Sequence, residues 1–323
     1  MNMGVSRTKD LVIKYVVRLI PSKIIRTHIG AMIRFGIRDY LKAARTKSHK
    51  RNFKHFLSVA AIVKNEGPYL KEWIEYHQLV GVEKFHIYDN ESTDDTKEIL
   101  QPYINAGIVD YTFFPGKQMQ RPAYTDAILK SRNETQWLAI IDLDEFIVPL
   151  QDDNIQLFIK KLVSDNNSIS QILIGWCVYG SSGHKTKPKG LVIENFLWRA
   201  QQTQSKYWHK TILNPRKVYH VECHCCGVFG KTVNEDLVEI TIPRRKKPDF
   251  TVGEDYIFNN KKIRVNHYVV KSWEEWLMKK YKGDAWKKRK QIKDDAYFTG
   301  YDKNEIRDST MSKYVKNLKK LMR

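Results

Sequence analysis

The chain has 323 residues, 42% apolar, 12% aromatic and 28% charged, which describes a globular protein with a sizeable core and excludes a disordered, collagenous or coiled-coil chain. Its net charge of +20 is uneven: residues 1–54 hold 14 Lys and Arg against 2 acids, residues 271–323 hold 16 against 8, and residues 55–270 hold 26 of each. A neutral middle with two basic ends excludes a basic nucleic-acid channel there, and leaves the ends to an anionic membrane surface, nucleic acid or solubility.

No apolar run approaches the roughly 20 residues that span a bilayer. The basic N-terminus lacks the uninterrupted apolar stretch of a secretory signal. Four cysteines make no disulfide framework, so a reducing, cytoplasmic setting is expected.

The first 54 residues predict two short amphipathic helices. Arg7, Asp10, Lys14 and Arg18 make a narrow polar stripe among Leu11, Val12, Ile13, Val16, Val17, Leu19 and Ile20. Pro21 stops this helix and Ser22 can cap the next. There Arg34, Arg38, Lys42 and Arg45 lie beside Ile29, Ile33, Ile37 and Leu41. Such a face suits the interface of an anionic membrane, and equally a helical hairpin packed on the protein's own core.

From residue 55 strands and helices alternate. Strands are predicted at Phe56 to Val63, Phe85 to Tyr88, Val109 to Phe114 and Trp137 to Ile141. Helices are predicted from Tyr69 to Leu79, from the polar turn Asp89 to Asp95 through Leu100, and from Ala123 to Arg132. That order implies an α/β fold, a mostly parallel sheet with helices on both faces. No G-x-G-x-x-G or G-K-[ST] follows a strand, so dinucleotide and P-loop readings lose support.

The fourth strand is apolar throughout and runs into Asp142-Leu143-Asp144-Glu145. Three carboxylates at one strand end repel each other and lose hydration unless a cation offsets them. Hard oxygen ligands suit Mg2+ or Mn2+. Strand carboxyl ends are where open α/β sheets bind ligands, and the loops Lys64-Asn65-Glu66 and Asp89 to Asp95 lie at that same edge. A D-x-D taken alone is also common as a solvated turn.

The run Ala61-Ile62-Val63-Lys64-Asn65-Glu66, then Glu72-Trp73-x-x-Tyr76-His77, then Tyr88-Asp89-Asn90-x-Ser92-x-Asp94, resembles the start of a glycosyltransferase domain. With Asp142-x-Asp144-Glu145-Phe146, Gly180-Ser181-Ser182-Gly183-His184, Lys210-Thr211-Ile212 and Asn266-His267-Tyr268-x-x-Lys271-Ser272, it is similar to glycosyltransferase family 92 and its bacterial relatives in the family 2-like group. The resemblance covers about residues 56 to 283. It implies a GT-A domain at 55–283, flanked by a basic helical segment at 1–54 and a basic helical tail at 284–323.

The resemblance further implies an inverting enzyme that uses a nucleotide-sugar, most often UDP-linked, with Mn2+ or Mg2+. Asp144 would be a direct metal ligand, Asp142 would hold ribose or metal, and His267 would complete the metal site. Glu66 and Asp89 would face the nucleoside and Lys210 the diphosphate. Asp255, within Gly253-Glu254-Asp255, and Glu222 are the candidates for general base, with Glu194 open. A glycan or glycolipid acceptor is expected, such as lipopolysaccharide, capsule or a lipid-linked oligosaccharide, at the inner face of the cell membrane; galactose is one possible donor sugar.

Two other classes were weighed: a nucleic-acid-binding protein or metal-dependent nuclease, and an inactive transferase fold that only binds. Cys223-His224-Cys225-Cys226 lacks the distant ligand pair of a structural zinc site, so a buried strand is expected there. Trp176, Tyr179, Trp198, Tyr207 and Trp208 fall in the acceptor half, where packing and sugar stacking compete. Ser272 and Glu275 have capping-box spacing ahead of a helix bearing Trp273, Trp276 and Tyr281.

Overall fold

A computed structural model describes residues 9, 11–13, 15–45, 52–201, 208–240, 258–282 and 294–322. Asp255 with its neighbours Gly253 and Glu254, Tyr207, and the basic stripe residues Arg7, Asp10 and Lys14 lie outside the described residues.

The strands are β1 (His55–Val63), β2 (Lys84–Asp89), β3 (Val109–Phe113), β4 (Thr135–Ile140), β5 (Glu145–Pro149), β6 (Ile169–Val178), β7 (Trp198–Arg199), β8 (His209–Leu213), β9 (Val218–His220), β10 (Gly227–Val228), β11 (Lys231–Val233), β12 (Ile263–His267) and β13 (Ile306–Arg307). The helices are α1 (Lys23–Phe35), α2 (Ile37–Arg45), α3 (Gly67–Leu79), α4 (Thr96–Asn105), α5 (Gln120–Glu134), α6 (Ile155–Val163), α7 (Val192–Asn195), α8 (Trp273–Lys282), α9 (Asp295–Tyr301) and α10 (Ser312–Leu321). All seven elements expected between residues 55 and 141 form; α4 runs on through Pro102 to Asn105.

The main sheet has the order β3-β2-β1-β4-β8-β6-β12-β5, with β11 beside β6. Strands β1 to β4 pair in parallel, and β8 runs against both β4 and β6. Successive side chains of a strand point to opposite faces. Leu57, Val59 and Ala61 of β1 therefore meet Trp73 and Ile74 of α3 and Leu100 of α4, while Ala60 meets Tyr124 and Ile128 of α5 and Phe35 of α1. Helices thus cover both faces, as the alternation required.

The second N-terminal stripe is not one helix. Gly36, at φ 88°, breaks it into α1 and α2, and Ser22 caps α1 by accepting the Ile25 N–H. Both helices rest on the domain: Ala31 and Phe35 are buried, and Arg132 stacks on the Phe35 ring while bonding Asp39. At the other end, Leu318 of α10 enters the core beside α3. The Cys223–Cys226 stretch is a loop between β9 and β10 rather than the expected strand, with all three thiols buried and free.

Helix α3 finishes an edge. Strand β5 ends the sheet, and an edge strand leaves backbone groups unpaired. Trp73 Nε1 donates to the Glu145 carbonyl, Tyr76 Oη donates to the Ile147 carbonyl, and His77 Nε2 accepts the Ile147 N–H at 3.3 Å. The Trp73 carbonyl takes the Nδ1 proton of His77, so this imidazole is neutral. Burial pushes its pKa down to about 3. The unfolded chain takes up this proton near pH 6.5 and the native one does not. Stability is therefore expected to fall as pH drops through 6.5 towards 3, by up to about 1.4 kcal/mol per unit from this group. Urea denaturation of His77→Gln between pH 7 and 5 checks this: the variant should show the shallower pH slope.

Candidate active site

Sheet register gathers the site. Asp142 follows β4, whose Ile140 pairs with Thr211 of β8, and this sets Lys210 beside the D-x-D turn. In β12, His267 pairs with Glu145 of β5 on one side and Val178 of β6 on the other, and Asp144 is locked on by the Tyr268 N–H to its carbonyl. Trp176 of β6 donates its N–H to the Trp208 carbonyl. Five strands, β4, β5, β6, β8 and β12, thus bring their ends to one edge.

The offsetting cations that the three carboxylates demand are lysines of the chain itself. Lys210, 1% exposed, puts its Nζ 2.7 Å from Asp142 Oδ2 and 3.2 Å from Glu145 Oε2. Asp142 also accepts from Tyr124 Oη at 3.0 Å and Gln120 Nε2 at 3.3 Å. Lys279 of α8 donates to Asp144 Oδ2 and to the Val269 carbonyl. Burial would raise the pKa of both aspartates, but Lys210 outweighs it for Asp142, and Lys279 with His267 for Asp144. Glu145 is fully buried; burial, then Asp142 and Asp144, push its pKa well above the ordinary glutamate value.

Asp144 Oδ1 and His267 Nε2 stand 3.5 Å apart. Carboxylate oxygen with imidazole nitrogen is a donor pair that suits Mn2+. Behind them, His267 Nδ1 lies 4.0 Å from Glu145 Oε1, and both atoms are buried without a hydrogen-bond partner. Asp142 is engaged elsewhere, and among the described residues no group of three or more His, Cys, Asp or Glu is placed to hold a metal ion.

The neighbouring loops are stitched together. Asn65 takes the Thr93 N–H and gives its own N–H to Ser92 Oγ; Asp94 accepts from the Gly67 N–H at 2.9 Å. A Cβ on Gly67 would stand 2.2 Å from Asp95 Oδ1, so a larger residue there would have to push that carboxylate aside. Asp89 is buried and shapes its own turn, accepting from the Ser92 N–H and Tyr111 Oη. Glu66 precedes α3 without capping it and faces Lys271 electrostatically.

An aromatic wall flanks the acids. Trp208, 43% exposed, stacks on Trp176 at 5.5 Å and 16°; Trp176 meets the His267 ring edge-on at 4.3 Å, and His224 touches both tryptophans. Burial, then Lys210, lower the His224 pKa to about 4. Tyr179 is buried core, and Trp198 lies in the small β13-β7 sheet.

Asp142, Asp144, Lys210 and His267 are thus brought together. Glu222 is buried, its Oε1 held by Arg121 at 3.1 Å and His220 at 3.0 Å; Glu194 pairs with Lys319. Sequence reasoning missed Lys279, which it read as part of a packing helix, and gave Lys271 no role. The expected capping box forms: Glu275 N–H donates to Ser272 Oγ, and Ser272 N–H to Glu275 Oε2. It starts α8 in the frame that carries Lys279. Removing Lys210 takes the cation from buried Glu145 and from partly exposed Asp142. Lys210→Met is expected to cost about 3–5 kcal/mol at pH 7, and less towards pH 5, in urea denaturation.

The family model for glycosyltransferase family 92 matches residues 57–321. A family 92 protein of Ricinus communis is 26% identical over 230 residues, covering 71% of this chain and 38% of its own. One from Oryza sativa is 25% identical over 232 residues, covering 71% and 36%. These are plant proteins, and the chain spans well under half their length. Among solved structures, S. aureus TarS in complex with UDP aligns over 50% of this chain and 47% of its own, at 14% identity and a TM-score of 0.35. Glucosyl-3-phosphoglycerate synthase from Mycobacterium tuberculosis, in complex with Mn2+, UDP and glucosyl-3-phosphoglycerate, aligns over 60% and 73%, at 16% identity and a TM-score of 0.32. The family match runs from β1 through α10, across the whole of the sheet and the site it builds: this chain belongs to glycosyltransferase family 92.

Proposed function

We propose that this chain is a GT-A glycosyltransferase domain that moves a sugar, with galactose the first to test, from a UDP-sugar to a glycan or glycolipid acceptor, inverting the anomeric centre. The observation that carries the reading is the Asp144–His267 pair at the carboxyl edge of the sheet, in a chain of this family. A bound Mn2+ or Mg2+ would supply Lewis-acid neutralisation of the leaving diphosphate. Asp144 and His267 are the residues to hold it. Asp142, fixed by Lys210, Tyr124 and Gln120, is assigned to the nucleotide's ribose side. Glu66 lines the nucleoside pocket together with the loop that Asp89 shapes.

In transfer, a general base takes the acceptor hydroxyl proton and the oxygen attacks the anomeric carbon from the face opposite the diphosphate. The bond to phosphate breaks and the diphosphate leaves with the electron pair. Asp255 and Glu222 are the residues to test as base. The half-exposed face of Trp208 is assigned to the acceptor sugar, whose CH groups suit an aromatic surface.

One assay set tests this, measuring UDP release and sugar transfer with a donor panel. Asp144→Asn and His267→Ala should lower transfer by about 100-fold or more and weaken Mn2+ binding in calorimetry. A true base variant, Asp255→Asn or Glu222→Gln, should lose transfer and keep donor affinity. Trp208→Ala should raise the acceptor KM about tenfold. UDP bound with no release or transfer from any donor would leave an inactive binding module; no nucleotide binding would sink the reading.

A membrane site follows from a separate observation. Leu11, Val16, Leu19, Ile25 and Ile37 stay exposed beside Arg18, Arg26 and Arg38, although α1 and α2 pack on the domain. No helix among the described residues is long and apolar enough to cross a membrane. We assign this face to the anionic inner surface of the cell membrane. The full chain should float with anionic vesicles in a sucrose gradient and a chain lacking residues 1–50 should not; equal flotation excludes the assignment.

A further inference from the structure

Lys271 is a buried cation that the fold does not use. It is 7% exposed, and among the described residues its ammonium makes no hydrogen bond and no ion pair; its Nζ lies 3.9 Å over the centre of the Tyr69 ring. Tyr69 is itself tied to Glu275 through Oη, and Glu275 is engaged by Ser272. A lysine this enclosed, with solvent contact left only at its ammonium and no acceptor bonded to it, is placed to receive an anion.

The surroundings say where that anion sits. Lys271 follows β12 by four residues and shares its electrostatic field with Asp144, Lys279, Glu66 and Glu275. Lys279 of α8, 25% exposed, holds Asp144 Oδ2. Lys210, the lysine expected from the sequence to meet the diphosphate, already contacts Asp142 and Glu145.

We propose that Lys271 and Lys279 form the diphosphate cradle of this site, Lys271 waiting with its charge unpaired and Lys279 passing from Asp144 to the incoming phosphates. The inference rests on the nucleotide-sugar reading above for the identity of the ligand, and on the lysines alone for its charge. Lys279 is then a displaceable counter-ion: while it bonds Asp144 it competes with a divalent cation for that carboxylate, and it gives up the carboxylate when phosphate oxygens replace it.

Calorimetric titration of the full chain with UDP, GDP, uridine and inorganic pyrophosphate, each with and without Mn2+, tests this. Lys271→Met should weaken UDP and pyrophosphate by about 10- to 100-fold and leave uridine unchanged. Lys279→Met should weaken pyrophosphate without metal and tighten Mn2+ binding in the absence of nucleotide, read by the loss of free Mn2+ signal in electron paramagnetic resonance. Lys316→Met, an exposed lysine on α10, is the control for nonspecific charge. Wild-type affinity for pyrophosphate in both variants would overturn the cradle. So would a lower thermal midpoint for Lys271→Met with pyrophosphate affinity intact, which marks a structural lysine. Pyrophosphate binding that depends on Lys271, without binding of UDP or GDP, would uphold the cradle and overturn the nucleotide-sugar reading instead.

Discussion

Three carboxylates packed at the end of one buried strand must be neutralised before the rest of the domain can close around them. Left bare, they would repel each other in a setting where repulsion is poorly screened. Lys210 answers for Asp142 and Glu145, and Lys279 for Asp144. The first of these depends on register. β8 must run against β4 with Thr211 opposite Ile140, and a slip of one residue would turn Lys210 to the other face of the sheet. The second depends on where α8 begins, which the Ser272–Glu275 capping box determines. Charge balance at the site therefore selects one sheet alignment and one helix frame.

The same economy explains α3. Its Trp73, Tyr76 and His77 look like core residues, and they are buried, yet each bonds the backbone of β5. That strand begins at Glu145, directly after the aspartates, and lies at the sheet's edge. Without those three bonds its outer groups would be buried and unpaired. Glu72, on the same helix, accepts the Val192 and Ile193 N–H groups that open α7. The run of Glu72, Trp73, Tyr76 and His77 is thus polar bookkeeping carried on an apolar helix. It ties the first half of the sheet to the strand that carries the acids.

How much of this was legible in the sequence follows from its range. The seven elements from β1 to β4 were readable because each is a local pattern: a short apolar run, a helical period, a glycine or proline stop. The D-x-D was readable as a strand end with unbalanced charge, and His267 through the family motif. The identity of the counter-ions was not. Lys279 meets Asp144 across 135 residues of sequence, and nothing in a lysine on an amphipathic helix signals which carboxylate it will find. Reading the acids as a demand for cation was sound; reading that cation as metal alone was one step too far. The Cys223–Cys226 stretch misled in the opposite way, since small apolar thiols pack as well in a buried loop as in a strand.

A site whose aspartates are matched by lysines of the chain takes a charged ligand in a particular way. A corner with bare aspartates would attract a divalent ion and hold it, and the diphosphate would follow. Here each aspartate has an ammonium partner. Under the proposed function, a divalent ion held by Asp144 and His267 would compete with Lys279 for Asp144, and a diphosphate would be met by Lys279 and Lys271. On this reading the lysines make the two ligands bind cooperatively, since each relieves the charge imbalance the other creates. Selectivity for a metal–diphosphate pair over either component then needs no moving loop. It follows from the number of fixed charges at one edge of a sheet, and from one lysine able to change partners.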